Sequence, residues 1–161
     1  MPHSQRFKKI IDYPVIFWLV YKKKPKVLSV VLSKNPKSSL NYTTPCCLGN
    51  NAFISQIAKF LNGADVHFPL SMLRLDLCSV FQQKVLRAVH SIPRGRVSTY
   101  QLIAQQIGKP KAVRAVARAL ATNPFPLILP CHRVIRSDGT LGGYLGGTKM
   151  KQALLREEGR L

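Results

Sequence analysis

Cys131 and His132 stand next to each other in the segment Leu129-Pro130-Cys131-His132-Arg133-Val134, and this pair is suited to nucleophilic chemistry. The reactive form of a cysteine is its thiolate, which becomes more abundant when a base takes the proton or a positive potential lowers the thiol pKa. An adjacent imidazole can take that proton near neutral pH. The pair predicts a cysteine nucleophile, and the plain alternative is a buried structural thiol.

The charge of the chain indicates the kind of partner. The 161 residues include 25 lysines and arginines but six acidic residues, a formal net charge of +19. Such an excess favours a polyanion, because contacts to phosphates release counterions. The basic residues are scattered along the chain, so they do not form a simple cationic tail.

Other composition signals exclude several classes of protein. The four cysteines do not make a disulfide framework in a chain of this length, so we expect a reducing, cytoplasmic compartment. The apolar run 15–21 is shorter than the roughly 20 residues that span a bilayer, and we expect no membrane partner. The sequence has no CxxC pair or HExxH motif, and its four histidines are dispersed. We therefore expect no metal site and no cofactor.

The first half of the chain has the pattern of a small sheet-containing lobe. Segments 15–21 and 27–32 are rich in β-branched and aromatic residues, and a basic turn containing Pro25 separates them, which predicts a hairpin. The apolar spacing of 53–61 then predicts a helix that stops at Asn62-Gly63.

A short alternation marks the boundary between the two halves. Leu73, Leu75 and Leu77 alternate with polar residues, as in an extended connection. We place the boundary there, with an N-terminal structural lobe at 1–76 and a second domain at 77–161.

The second half has helical spacing. Ser79-Val80-Phe81-Gln82 and Ser98-Thr99-Tyr100-Gln101 both match a capping box, in which the first and last side chains satisfy backbone donors reciprocally. The first predicted helix ends at Pro93-Arg94-Gly95, and the second runs to Gly108.

A third helix is predicted over 111–122, with Val113, Val116, Ala117 and Leu120 facing inward. The second and third helices, joined by a tight Gly-Lys-Pro turn, are typical of a helix-turn-helix. Arg114 and Arg118 lie four residues apart on the third helix, whose many alanines would let its backbone approach a nucleic-acid groove. An alanine-rich helix in a plain core is the alternative. The whole pattern predicts an α/β (α+β) fold whose mainly helical second domain is winged-helix-like.

Several separated motifs in this half occur in the order found in a known family. The chain resembles the O6-alkylguanine-DNA alkyltransferases over about half of its length, from Leu77 to Gly159. The first 76 residues resemble the variable N-terminal lobe of that family in pattern only. The motifs that carry the resemblance are Arg94–Tyr100, Ala112–Val116, Asn123-Pro124, Pro130–Val134, Gly142–Tyr144 and Glu157–Gly159.

The resemblance implies a role for each residue of a catalytic group. Cys131 would accept the alkyl group, His132 would take its proton through a water, and Glu158 would orient the imidazole. Tyr100 would assist the departing guanine by a proton or hydrogen bond to its ring. Asn123 would tie the helix-turn-helix to the active-site segment, although a helix C-cap or turn role is equally natural.

The same resemblance implies a surface for DNA and a pocket for the base. Arg114 would fill the gap in the base stack when the damaged nucleotide rotates out of the duplex. The other DNA contacts implied are Ala112, Ala115, Arg118, Thr99 and Tyr100. The pocket would be formed by Tyr144, Leu145, Val134 and Pro130. Leu145 departs from the small or hydroxylated residue that many relatives carry, which leaves the alkyl preference open.

The implied function is direct-reversal DNA repair. The protein would be a methylated-DNA–protein-cysteine S-methyltransferase that acts once, as a monomer, on O6-alkylguanine and also O4-alkylthymine flipped from double-stranded DNA, which it would bind in the minor groove. In a cell it would associate with the nucleoid, or lie in the nucleus of a eukaryote. Three alternatives stay open: an alkyltransferase-like protein that binds without transfer, a helix-turn-helix transcription factor and a cysteine hydrolase.

Overall fold

The computed structural model describes residues 15–22, 24–32, 55–57, 59–60 and 62–161. The chain divides after Arg74 into two compact units, whereas the sequence analysis placed the boundary at residue 76. Cys46 and Cys47 lie outside the described residues, as do the ends of the helix predicted over 53–61.

A hairpin occupies the first unit. Strand β1, Val15–Lys22, pairs antiparallel with strand β2, Lys24–Leu32, and the register shifts between Trp18 and Leu19. The predicted hairpin is confirmed, but Pro25 lies within β2, opposite Tyr21, and not in the turn. Proline lacks an N–H donor, and an edge strand tolerates that loss because only one of its sides is paired.

The rest of the first unit contains a short helical segment. Residues 55–57 and 59–60 are helical, and Ile57 and Phe60 are buried. The ring of Phe60 contacts that of Phe68 edge to face, with centroids 6.2 Å apart. Gly63 has φ +93°, and the N–H of Ala64 donates to the carbonyl of Lys59. The predicted stop at Asn62-Gly63 is confirmed, because this left-handed residue closes the last turn.

The alternation of leucines predicted an extended connection between the two halves. The structure instead has two short helical turns there. Leu70–Met72 and Leu75–Leu77 are single 3-10 turns. Each turn is closed locally, by bonds from Leu73 N to the Leu70 carbonyl and from Cys78 N to the Leu75 carbonyl. Leu73, between the two turns, has an extended backbone and is buried. Within the second turn Leu75 is buried and Leu77 is exposed, because residues two apart in a 3-10 turn lie on different sides.

The second unit contains four α-helices and one small parallel sheet. The helices are α1, Val80–His90; α2, Tyr100–Gln106; α3, Val113–Ala121; and α4, Thr148–Glu157. Strand β3, Ser98–Thr99, pairs with β4, Val134–Ile135. Helix α3 packs against both α1 and α2. The predicted α/β class is confirmed. The core is apolar and includes Val85, Leu86, Val89, Ile103, Val116, Leu120, Phe125 and Leu129.

The first predicted capping box is half correct. Ser79 caps α1, since its Oγ accepts from the N–H of Gln82 at 3.2 Å. The Gln82 side chain does not return to Ser79 but donates to the carbonyls of Ala119 and Thr122, each at 3.1 Å. The carbonyls at a helix C-terminus lack partners within the helix, so Gln82 supplies a donor to the end of α3.

The second capping box is displaced by one residue. Thr99, not Ser98, caps α2 by accepting from Leu102 N at 3.1 Å. The Gln101 side chain donates to the carbonyl of Pro110, also at 3.1 Å. Ser98 and Thr99 form β3, so the N-cap of α2 is Thr99, the last residue of the strand. Gln101 then braces the turn between α2 and α3.

Helix α3 buries a slightly different face from the one predicted. Val116 and Leu120 are buried as expected, together with Ala119, while Val113 and Ala117 are partly exposed. In the described ranges, no helix is long and apolar enough to cross a membrane.

Replacing Gln82 by alanine should lower the free energy of unfolding by about 1 kcal/mol, because the end of α3 loses its side-chain donor. Lys84→Ala, on the exposed side of the same helix, is the control and should change little. Urea unfolding of the three proteins measures the difference. Equal stabilities for the two variants would show that Gln82 does not brace α3.

Candidate active site

Cys131 opens a 3-10 turn, Cys131–Arg133, that follows the buried segment 125–130. Its side chain is 5% exposed. Asn123, which follows the end of α3, donates through Nδ2 to Cys131 Sγ at 3.3 Å and to the Leu129 carbonyl at 3.1 Å. The Oδ1 of Asn123 accepts from Phe125 N at 2.9 Å. All the hydrogen-bonding atoms of this amide are thus used to hold the thiol segment against the end of α3.

His132 and Arg133 share one carboxylate. Glu158 Oε1 lies 2.9 Å from His132 Nε2 and accepts from Arg133 Nη2 at 2.8 Å. Its other oxygen accepts from Arg133 Nε at 2.9 Å. Arg133 also donates from Nη1 to the carbonyl of Ile92 at 2.6 Å. The paired bonds are the bidentate arrangement that makes arginine–carboxylate contacts strong and directional.

The environment of this cluster determines its protonation. Burial raises the pKa of Glu158, but hydrogen bonds from His132 and Arg133 outweigh it and lower the pKa to about 2. Burial lowers the pKa of His132, and Glu158 opposes that effect only in part. At neutral pH the cluster therefore holds a carboxylate and a neutral imidazole, whose Nε2–H donates to Glu158. Nδ1, the other ring nitrogen, is then in its basic form.

The thiol itself is not held as a thiolate. Burial raises the pKa of Cys131, and the hydrogen bond from Asn123 and the charge of Lys151 offset this only in part. The net shift of the thiol pKa is therefore upward. The cause is the near-complete burial of the sulfur, since desolvation disfavours a charge. A proton acceptor is therefore needed at the moment of attack.

A cavity of about 620 Å³ opens beside the thiol. This volume lies in the range of pockets that enclose small organic ligands. The wall is largely apolar, with one basic residue from α3. Its lining residues are Tyr100, Ala117, Arg118, Leu120, Ala121, Cys131, Gly143, Tyr144 and Leu145.

Two phenols line the cavity. Burial, and the nearby Cys131, raise the pKa of both Tyr100 and Tyr144, so each keeps its proton at neutral pH. The hydroxyl of Tyr144 is buried and bonds to none of the described side chains or backbone groups. Gly142, with φ +67°, comes so near Tyr100 that a Cβ there would lie 3.1 Å from its hydroxyl. Only glycine fits this approach well.

The structure brings together most of the residues that the sequence analysis assigned to catalysis and the pocket. Tyr144 and Leu145 line the cavity, and Leu145 is 46% exposed. Pro130 and Val134, also predicted to line the pocket, are buried and are not among the lining residues. Val134 is fully enclosed because β4 pairs with β3 there.

The residues predicted to meet DNA lie on α3, directly before it, and at the start of α2. Arg114, Ala115 and Arg118 are exposed on one side of this helix, and Arg118 also lines the cavity. Ala112 precedes the helix as its N-cap, and Thr99 caps α2. The exposed side of α3 and the opening of the cavity are therefore continuous.

Sequence reasoning missed Lys151 and Arg133. Lys151 is completely buried in α4, where its ammonium donates to the carbonyls of Val134, Leu141 and Gly143. Lysine is usually exposed, so its identity gave no signal. Its position did, because it lies four residues before the buried Leu155, on the same face of the helix.

Comparison with known proteins defines the class to which this chain belongs. Residues 80–160 match the family model described as "6-O-methylguanine DNA methyltransferase, DNA binding domain". A methylated-DNA–protein-cysteine methyltransferase of Methanothermobacter thermautotrophicus is 44% identical over 133 residues, which cover 83% of this chain and 74% of that protein.

Solved structures agree with the sequence comparison. The O6-methylguanine methyltransferase of Mycobacterium tuberculosis is similar with a TM-score of 0.69 and 32% identity, covering 92% of this chain and 95% of that one. A structure of the M. tuberculosis protein in complex with DNA gives a TM-score of 0.66 at 31% identity, covering 89% and 87% of the two chains. The chain belongs to the family of methylated-DNA–protein-cysteine methyltransferases.

Replacing Glu158 by alanine should destabilise the protein by about 3 kcal/mol, because it leaves Arg133 buried without its carboxylate. Glu157→Ala is the matched control, since Glu157 is the exposed neighbour of Glu158. Chemical denaturation at neutral pH measures both. A Glu158 variant as stable as the Glu157 variant would contradict this account.

Low pH should destabilise the protein by protonating the carboxylate of Glu158. The pKa of Glu158 in the folded protein, about 2, lies below its ordinary value of 4.5. Its contribution to stability is therefore complete above pH 4.5 and is lost as the pH falls towards 2. Between pH 4.5 and 2, the free energy of unfolding should therefore fall less in Glu158→Gln than in the wild-type protein or in Glu157→Gln.

Proposed function

We propose that this protein repairs DNA by direct reversal, moving a methyl group from O6 of guanine to Cys131 Sγ. The observation that carries the proposal is a buried thiol at the wall of a ligand-sized cavity, next to an imidazole paired with a carboxylate. Membership of the methyltransferase family supports it. The carbon–sulfur bond forms as the bond from the methyl carbon to O6 breaks, and the base is left unmodified.

The proton of the thiol goes to His132. Its Nε2 is engaged with Glu158, so Nδ1 is the nitrogen that receives the proton, through a water. Glu158 stabilises the imidazolium that forms, and Arg133 keeps Glu158 ionised and in position. Asn123 directs an N–H at the sulfur and favours its negative charge during attack.

The departing guanine needs its developing charge compensated. Tyr100 lines the cavity with Cys131 and holds its proton at neutral pH, so it can donate to the purine ring. The ring of Tyr144 forms a wall of the pocket, and its hydroxyl is free for the base. Leu145 forms an apolar rim and limits the alkyl groups that enter. O4-alkylthymine offers the same displacement at a smaller base.

Access to the base requires DNA bound with the damaged nucleotide rotated out, because a stacked base hides its O6 atom. We assign α2 and α3 as a helix-turn-helix that binds the minor groove, with Arg114 filling the gap in the stack. Thr99, Ala112, Ala115 and Arg118 complete the contact surface. A monomer suffices, with residues 77–161 carrying binding and transfer and residues 1–76 a structural lobe.

The proposal predicts a single transfer per protein molecule. A thioether has no good leaving group, so protein incubated with excess DNA containing O6-methylguanine should gain the mass of one methyl replacing one hydrogen, on the peptide with Cys131. Cys131→Ala should bind the same DNA and gain nothing, while Cys78→Ala should react normally. Intact-mass and peptide measurements read the outcome.

Each alternative function has its own result in this experiment. Binding without any gain of mass would identify an alkyltransferase-like or regulatory DNA-binding protein. Repeated turnover, including turnover of an ester or peptide, would identify a hydrolase and overturn the proposal.

Arg114→Ala should separate DNA recognition from chemistry. The variant should react with free O6-methylguanine at the wild-type rate, but at least tenfold more slowly with duplex DNA, because the flipped state costs a few kcal/mol and loses its replacement in the stack. Lys109→Ala, which removes an exposed charge from the turn before α3, is the control. Equal losses on the free base and the duplex would contradict the role of Arg114.

A further inference from the structure

Lys151 has no part in the chemistry described above, yet it is a completely buried charged side chain that contacts two residues of the cavity wall. Its Nζ donates to the carbonyl of Val134 at 2.6 Å and to that of Leu141, with a longer contact of 3.4 Å to that of Gly143. The same Nζ lies 5.9 Å from the centre of the Tyr100 ring. Gly143 and Tyr100 both line the cavity that Cys131 faces.

This geometry specifies a protonated side chain. An ammonium has three N–H donors and no acceptor, whereas a neutral amine would direct a lone pair at one of the three carbonyl oxygens. The face of an aromatic ring likewise attracts a cation. Burial lowers the pKa of Lys151 to about 8, which still leaves it mainly charged at neutral pH.

The charge of Lys151 is solvated but not neutralised. Carbonyl dipoles surround it, and none of the carboxylates in the described part of the chain forms an ion pair with it. Maintaining an unpaired charge in a protein interior is costly, so such a residue is a candidate for function. Its contacts with Gly143 and Tyr100 place this charge at the wall of the cavity that Cys131 lines, and the Cys131 sulfur gains a negative charge during attack.

We propose that Lys151 is a positioning residue whose buried positive charge stabilises the thiolate of Cys131 and anchors the Leu141–Gly143 loop that forms the cavity wall. It does not touch the alkyl group. It offsets part of the cost that burial imposes on the ionised sulfur, and it acts together with the N–H of Asn123. The inference builds on Cys131 as the proposed acceptor, but it concerns thiol ionisation and not the transfer of methyl.

Several ionisable groups surround Lys151 and enter its titration. Cys131 raises its pKa, and Arg136, in the loop after β4, lowers it. Tyr100 faces it from the start of α2, and His132 responds to its charge from the 3-10 turn. Among these, the thiol is the group that gains a negative charge in the reaction, so the Lys151–Cys131 coupling is the one to measure.

The test follows the alkylation of Cys131 by a small haloacetamide as a function of pH, with mass spectrometry of the Cys131 peptide as the readout. Lys151→Met removes the charge from a chain of similar length and should lower the rate at neutral pH about tenfold, as expected when an opposite charge is removed from a thiolate. Its pH profile should move to higher pH. Lys151→Arg keeps a charge and should recover most of the rate, and Lys149→Met, exposed on the same helix, should match the wild-type protein.

The shape of the profile separates charge from structure. If Lys151 only anchored the loop, Lys151→Met would lower the rate by the same factor at every pH, and that result would overturn the proposal. This test measures alkylation by the haloacetamide and not methyl transfer. The role of Lys151 and the repair function can therefore fail independently of each other.

A second measurement does not depend on whether Lys151→Met folds. Lys151 loses its charge as the pH rises through about 8, whereas an arginine at this position would keep its charge. Above that pH, alkylation of Cys131 should therefore be faster in Lys151→Arg than in the wild-type protein. Equal rates for these two proteins above that pH would contradict the inference.

Discussion

The carboxylate of Glu158 is the contact on which the rest of the site depends. It lies at the C-terminal end of α4 and binds both His132 and Arg133 in the 3-10 turn. Arg133 also donates to the carbonyl of Ile92, just beyond the end of α1. One acidic side chain thus joins two helices to the turn that carries the thiol. The bidentate bond also restricts the carboxylate, so the imidazole has one orientation.

The backbone of Glu158 also imposes a steric constraint on the turn after α1. Gly95 has φ +73°, and a Cβ at this position would lie 3.0 Å from the backbone oxygen of Glu158. The turn after α1 therefore comes close to the end of α4. Arg94 strengthens this approach by donating to the carbonyl of Glu157 at 2.9 Å. The Arg94-Gly95 pair, which the sequence analysis interpreted as a helix breaker, also packs against the end of α4 that carries Glu158.

Local signals in the sequence predicted where helices begin and end, but they did not predict the hydrogen-bond partners of the side chains at these ends. Ser79 and Gly63 act where capping and left-handed turns require them. Gln82 and Gln101 also lie at the predicted places, but their side chains reach other elements, because a distant carbonyl competes with the local cap. Lys151 shows the largest gap. The spacing within α4 places it on the buried face, but it does not reveal the three carbonyls, from a strand and a loop, to which the ammonium donates.

Burial of Cys131 links reactivity to the binding of DNA. Desolvation raises the thiol pKa, so the sulfur is mainly protonated at neutral pH. Asn123 joins this sulfur to the end of α3, while Ala117 and Ala121 of the same helix line the cavity. The helix that presents Arg114 to solvent therefore also forms the wall against which the thiol lies. In the proposed mechanism, a base delivered along α3 would arrive beside the sulfur and exclude water from the cavity. The surrounding dipoles act most strongly on a developing charge in such a dry site.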